Sequence, residues 1–511
     1  MIAMAKKRED RGKGKKSGVD TECNLDGNYI SPIQSYRDLT VENVRSSVVN
    51  SRYIQILISL TIVGGFLRFY NLGFNSLWLD EAATYSFAKL SFIEIWEITA
   101  GGEYNPPLFH WVEHFMLFFG NNEVILRFIP AMLGILTIPL FYLIGKEFSD
   151  RNTGILAAAL LTFSPFHLFY SQDARAYSMV LFFISLSLYC YLQAFRSNDK
   201  KFWALFGLFS ALAFWTHFYS MIITGTLILF AIIINAEKIR RNVKELIPIL
   251  ISLATFVFLC LPLLIVTVQL FFVRTRAPPT YGIQGFGIII EPIQQFFGYN
   301  LYSALIFSIL LIIGLIQIFK IDKIKFFLFV SIIIVSFLAS WGLSYKMPMI
   351  PRYLIFMLPI FYIGVAAGFR PIYSAINNRW LIYLFIAAII LIGTPFMITY
   401  YSGFSKEDWR GFSKSIESMT RDGDLVILAP GYISLPFDYY YSNTTDKTIE
   451  FGANTKNDLE KISSSKGNSS VFIILTSDIF AADPGGGSLQ YLKENAKFAG
   501  QNSGINLFII D

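Results

Sequence analysis

Eleven stretches of this 511-residue chain are apolar over close to the 20 residues that a helix needs to cross the hydrocarbon of a bilayer. They fall near 53–70, 124–145, 154–170, 177–195, 202–217, 219–235, 246–272, 301–319, 326–344, 353–369 and 380–400. Inside lipid each backbone polar group must find its partner within the chain, which confines such runs to helices. Composition agrees: 15% of residues are charged, against roughly 25% in soluble domains. The chain therefore reads as a polytopic α-helical membrane protein with about 11 transmembrane helices. Disordered, fibrous and disulfide-framework classes are excluded by the same figures. Cys23, Cys190 and Cys260 are too few and too scattered for a framework.

The first run follows a polar stretch, 1–50, so it does not read as a cleavable signal. Lys6, Lys7, Arg8, Arg11, Lys13, Lys15 and Lys16 make residues 1–18 a solvated basic tail. No basic folded domain follows it, so no nucleic-acid partner is expected. Lys and Arg favour cytoplasmic connections. With the N-terminus inside, the inner connections carry fourteen of them, from Lys146 and Arg151 to Arg370 and Arg379, and the outer ones seven. An odd number of spans then puts 401–511 outside. That segment alternates helix-like stretches (405–419, 458–465, 489–496) with apolar strands (424–429, 471–475, 505–510). The alternation predicts a small extracytoplasmic α/β domain with an accessory role.

Charged residues beside the spans carry the chemical information, because a lipid-facing surface needs none. The long outer loop 71–123 contains Trp78-Leu79-Asp80-Glu81. On a helix the two acids project about 100° apart, so one can act while the other orients. Residue types fit a plainer role equally, the acidic first turn of an interfacial helix. Further along, Asn105-Pro106-Pro107 makes a rigid turn. His110 and His114 have metal-pair spacing but no third ligand nearby, which favours an interfacial pair. Asp173 and Arg175 stand too close in sequence to pair on one helix face. Each therefore seeks a substrate or another loop, and a salt bridge to a neighbouring loop is the simpler reading. His217 lies among aromatics, where a packing residue is as good a reading as a ligand. Lys346, Arg352, Arg274 and Arg276 are cations held outside against the bias. An anionic lipid phosphate supplies a reason for them, and ordinary lipid head groups supply another.

Taken in order, Trp78-Leu79-Asp80-Glu81-Ala82, Asn105-Pro106-Pro107-Leu108, Leu126-Arg127-Phe128-Ile129-Pro130, Tyr170 to Tyr177, Thr216-His217-Phe218-Tyr219 and Pro351-Arg352-Tyr353-Leu354 carry a resemblance. They resemble the polytopic GT-C glycosyltransferases, in the branch related to protein O-mannosyltransferases and the lipid A aminoarabinose transferase (glycosyltransferase family 39-like). The likeness covers about residues 50–370. Glu407-Asp408-Trp409-Arg410 resembles the tail opening of some bacterial and archaeal members. Asn105 stands where many members have His, which takes away a metal ligand. Asp173 replaces the commoner Glu and preserves the charge.

The resemblance implies a GT-C domain over 51–400 and an inverting glycosyltransferase of the cell membrane. Its donor would be a hexose or pentose on a polyprenyl or dolichyl phosphate, and its acceptor a glycan, lipid or protein, as in protein glycosylation or cell-envelope assembly. Sugar nucleotides are cytosolic, so a sugar used outside arrives on a lipid. The resemblance implies catalytic roles for Asp80, Glu81 and Asp173, with Asp80 as the base. It implies substrate binding by Arg175, His217, Lys346, Arg352, Tyr353 and Asn105, with Arg352 the first choice at the lipid phosphate. It leaves metal ligands unassigned, and a divalent cation is the one cofactor it allows for. The alternative from another class is a lipid-linked-sugar transporter or flippase. That reading needs ionisable groups at mid-membrane depth or paired broken helices.

Overall fold

The computed structural model describes residues 51–103, 105–376, 378, 380–441, 448–465, 467 and 469–510, together with the antiparallel pair Glu22–Cys23 and Tyr29–Ile30. The expected cytoplasmic tail, 1–50, otherwise lies outside the described residues. By internal contacts the chain divides into Met1–Ser59 and Leu60–Asp511. Everything below concerns the second unit.

All eleven apolar runs become helix. Among the described residues, eight helices are long and apolar enough to cross a membrane, nine if the bent pair Arg151–Thr162 and Pro165–Ser171 is one span. The runs at 202–217 and 219–235 become Lys200–Thr216 and Ser220–Ile234, of 17 and 15 residues. At 1.5 Å per residue these reach only about 25 and 23 Å, so length alone supports fewer crossings than the eleven read from sequence.

The bent pair has a local cause. Pro165 disfavours helix at Ser164, which is extended, and the Ser164 hydroxyl caps the next helix through His167 N at 3.0 Å. The two axes differ by 58°. Carbonyls freed at the break need donors, and the fully buried Arg68 supplies them, reaching Leu161 O at 3.0 Å and Thr162 O at 3.4 Å. Elsewhere, Gly364 and Gly368 let helix Leu358–Gly368 touch helix Leu301–Ile321 backbone to backbone. A Cβ at Gly314 would overlap the Gly364 carbonyl, and one at Gly368 the Leu310 carbonyl. Small residues one turn apart permit this close approach within a bilayer.

The basic connections gather at one end of the bundle. Arg196 pairs with Glu147 at 3.1 Å, Lys325 donates to the Glu147 carbonyl, and Arg370 pairs with Asp150 at 3.1 Å. The C-terminal region sits beside the loops at the other end. It holds a five-stranded sheet of β1 (Leu425–Ala429), β2 (Ile449–Gly452), β3 (Val471–Leu475), β4 (Lys497–Asn502) and β5 (Ile505–Ile510). The order is β2-β1-β3-β5-β4, parallel across the first three strands and antiparallel across the last two. Alternate residues of β1 and β3 point to opposite faces. Val426, Leu428, Phe472 and Ile474 pack with Trp409, Phe412 and Phe437, whereas Leu425, Ile427, Val471 and Ile473 pack with Leu459 and Leu492. Both faces are therefore covered, as the run of five buried residues in each strand requires.

Candidate active site

Trp78 is extended and caps the N-terminus of helix Leu79–Ala88, so Asp80 and Glu81 occupy its first turn. Their divergent directions give them different surroundings. Glu81 points inward with none of its side chain exposed. Arg127 grips it with a two-pronged fork, Nε to Oε1 and Nη2 to Oε2, both at 2.7 Å. The remaining Arg127 N–H groups reach the carbonyls of Leu72, Asn75 and Ser76 at 2.8–2.9 Å, which fixes the loop leading to Trp78. Glu81 Oε1 also accepts from Ala174 N at 2.8 Å. Burial pushes the Glu81 carboxyl up, but Arg127, Lys406 and the Ala174 N–H outweigh it and hold the group below the usual carboxylate range.

Five N–H donors are engaged on Arg127 and a lysine has three. Arg127→Met should destabilise the protein by about 3–5 kcal/mol, as removal of one member of a buried pair does. Arg127→Lys should recover less than half of that. Thermal unfolding in detergent measures both, and a melting temperature unchanged in Arg127→Met would contradict the fork's role.

Asp80 points outward, 24% exposed, and its Oδ2 accepts from Arg352 Nη2 at 2.9 Å. Pro351 starts the short helical segment that carries Arg352. The guanidinium lies over Trp78 at 5.1 Å and Tyr177 at 5.7 Å, a favourable place for a cation. Its Nε is buried and has no hydrogen-bond partner among the described residues. Arg175 supports the same turn, donating to the Asp80 carbonyl at 2.9 Å and Thr84 Oγ1 at 3.2 Å. Asp173 is fully buried and accepts from Trp78 Nε1 at 2.8 Å and Lys406 Nζ at 2.9 Å. Burial pushes its carboxyl up, and the nearby Glu81 charge adds to that against the pull of Lys406.

Next to Arg352, Tyr353 stacks on Tyr219 at 5.4 Å and faces His217 at the same distance. Burial, with Arg175 and Arg352 close by, pushes the His217 imidazole down to about 3, so it is neutral at ordinary pH. These three rings line a cavity of about 250 Å³ with Asn105, Arg274 and apolar walls from Phe218, Ile222 and Phe271. Asn105 donates to Glu103 at 2.9 Å, and Arg274 reaches the carbonyls of Gly102 and Glu103 at 2.9 and 2.6 Å.

The structure thus brings Asp80, Arg175 and Arg352 together, while Tyr353, His217 and Asn105 line the cavity next to Arg352. Lys346 stands apart and exposed. Glu81 and Asp173, expected to be catalytic, are fully buried, Glu81 gripped by Arg127 and Asp173 by Lys406 and Trp78. Among the described residues no three His, Cys, Asp or Glu side chains converge on one position. His114 is bound to the Ala88 carbonyl at 2.8 Å, and buried His110 faces Phe87.

Sequence reasoning passed over Lys406, whose side chain is 3% exposed and reaches Asp173 and Glu81. It also passed over Tyr440, which accepts from Leu77 N at 2.8 Å and donates to Glu123 at 2.5 Å. Both come from the segment expected to be accessory, which here helps to build the site. The one signal was Lys406's place directly before the Glu407–Arg410 motif.

Residues 104–265 match the family described as dolichyl-phosphate-mannose-protein mannosyltransferase. A curated protein of Aquifex aeolicus (strain VF5), itself uncharacterized, is 30% identical over 161 residues. That is 30% of this chain and 32% of the relative, so the match spans about a third of the curated protein's length. Among solved structures the fold is similar to ArnT from Cupriavidus metallidurans bound to undecaprenyl phosphate, with TM-score 0.53, 11% identity and coverage of 89% of this chain and 98% of that one. It is also similar to the Archaeoglobus fulgidus oligosaccharyltransferase AglB in complex with an inhibitory peptide and a dolichol-phosphate, with TM-score 0.52, 13% identity and coverage of 90% and 74%. A structure of the A. fulgidus oligosaccharyltransferase with Zn and sulfate aligns at TM-score 0.53 and 12% identity, over 87% and 71% of the two chains.

Proposed function

We propose, from the fold likeness to GT-C glycosyltransferases and the match of residues 104–265 to the dolichyl-phosphate-mannose-protein mannosyltransferase family, that the chain moves a sugar from a polyprenyl-phosphate carrier to an acceptor at the outer membrane face. One observation carries this reading: the half-open Asp80–Arg352 pair, 24% and 22% exposed, beside a largely apolar cavity. The ArnT and AglB neighbours, bound to undecaprenyl phosphate and dolichol-phosphate, support a lipid donor of that class.

The chemistry follows from the charges. A carrier phosphate competes with Asp80 for the guanidinium of Arg352, whose Nε, together with the Nη2 that Asp80 gives up, matches two phosphate oxygens. Asp80, released, accepts the proton of the acceptor hydroxyl. The acceptor oxygen then bonds to the anomeric carbon from the face opposite the phosphate, the carbon–oxygen bond to the carrier breaks, and its electron pair leaves with the phosphate. The configuration inverts. Arg352 stabilises the charge that builds on the leaving oxygen. Arg175, neutral His217, Tyr353 and Asn105 orient the sugar. Glu81 and Asp173 hold the loop that presents Asp80.

The transporter alternative draws less support. Arg68 and Arg127, both buried in spans, stand in the last turn and near the start of theirs and are held by carbonyls or by Glu81. Radiolabelled undecaprenyl-phosphate hexoses and pentoses, offered to the purified protein with lipid, glycan and peptide acceptors, test transfer directly. Mass spectrometry of lipid-linked sugars and glycans in a deletion strain identifies the sugar and acceptor. The same reading fixes topology: residues 1–50 inside, 401–511 outside. Cysteine labelling after Tyr401 should work in intact cells, and labelling only after permeabilisation would overturn the outward-facing site.

A further inference from the structure

Lys406 does more than join the C-terminal region to the bundle. Its ammonium lies 2.9 Å from Asp173 and 3.1 Å from Glu81, almost sealed from solvent. A cation is buried between carboxylates at a large desolvation cost that only close geometry offsets, so this is no casual surface contact. The backbone around it is held as well. Ser405 N donates to Asn75 Oδ1 at 2.9 Å, the Ser76 hydroxyl to Asp408 at 3.1 Å, and Arg410 N to the Ser76 hydroxyl at 3.2 Å. The depth to which Lys406 reaches is thereby set.

The oxygen of Asp173 that receives Lys406 also receives the indole N–H of Trp78. Trp78 in turn lies beneath the guanidinium of Arg352, which holds Asp80. A continuous line of contacts therefore runs from Lys406 through Asp173 and Trp78 to the Arg352–Asp80 pair. We propose that Lys406 is a positioning residue for sugar transfer, fixing through Asp173 the indole ring on which Arg352 and Asp80 are aligned. The proposal rests on the sugar-transfer reading and assigns that site a dependence on the C-terminal region. Without the ammonium, Asp173 is a buried carboxylate facing Glu81 with no cation of its own. It takes up a proton, its grip on the indole weakens, and the pair above loses its alignment.

The test uses the full chain in nanodiscs and undecaprenyl-phosphate sugars as donors. Lys406→Gln should lower kcat by about 10²-fold, the scale of an ångström-level misplacement of reacting groups, with a much smaller change in KM. Lys406→Arg should restore part of the loss. Trp78→Phe keeps a ring under Arg352 but removes the N–H, so it should also lower kcat. Because both changes break one line, the double variant Lys406→Gln/Trp78→Phe should be no slower than Lys406→Gln alone. Full kcat in Lys406→Gln, or losses that multiply in the double variant, would overturn the proposal. If thermal unfolding shows that Lys406→Gln does not fold, unchanged kcat in Trp78→Phe overturns it alone. A wild-type protein inert with every donor and unable to bind undecaprenyl phosphate removes the sugar-transfer reading and the role of Lys406 with it. An active wild type with an equally active Lys406→Gln removes only the role.

Discussion

Asp80→Asn should still bind undecaprenyl phosphate while its turnover falls by about 10²–10⁴-fold, the usual cost of losing a general base. The amide keeps the size of the carboxylate and can still meet Thr84 and Arg175 through its unchanged backbone carbonyl. What disappears is the proposed base and the charge that pairs with Arg352. Freed from that competitor, the guanidinium should bind the carrier phosphate at least as tightly as before. Stopped-flow transfer assays and equilibrium binding on the same preparation separate the two effects. Undiminished turnover would move the base to another group, with Glu407 one alternative in the C-terminal region, since its carboxyl is pushed up by burial and by neighbouring Asp478 and Asp80.

Arg352→Ala should affect both steps. Binding of undecaprenyl phosphate weakens because the phosphate loses its paired donors, and turnover falls by about 10²–10³-fold because charge on the departing oxygen is no longer offset. Arg352→Lys should recover binding more than turnover, since a point charge replaces the attraction but not the planar fork. The guanidinium also lies 5.1 Å from the Trp78 ring and 5.7 Å from that of Tyr177, so a lysine would sit less firmly there. If Arg352→Ala binds the carrier with wild-type affinity, the phosphate lies elsewhere, and Arg274 in the neighbouring cavity becomes the residue to test.

The helices were legible because lipid removes the choice between secondary structures, and every apolar run is helical. The number of crossings was less so: Lys200–Thr216 and Ser220–Ile234 are apolar but short, and apolarity does not report length. In the C-terminal region β1, β3 and β5 were readable from their buried apolar runs. The edge strands β2 and β4 were missed, for a physical reason: they lie at the rims of the sheet, most of their residues are exposed, and no apolar pattern is imposed on them. At the site, the 100° offset between Asp80 and Glu81 foretold their different settings, and the close spacing of Asp173 and Arg175 foretold partners in other loops. Lys406 escaped because its partner Asp173 stands 233 residues away and nothing local marks one lysine as buried.

The loop 71–77 is grasped by residues from the far end of the chain. Ser76 bonds to Asp408 and Leu77 to Tyr440, across sequence separations of 332 and 363. A ribosome makes the loop early and its clasp late. While the intervening helices are being inserted, Asp80 and Trp78 already exist, but the groups that set their angle have not been synthesised. A half-made chain therefore carries the loop before the contacts that clasp it exist. On the proposed reading, the site is complete only after the segment following the last span has reached the loop.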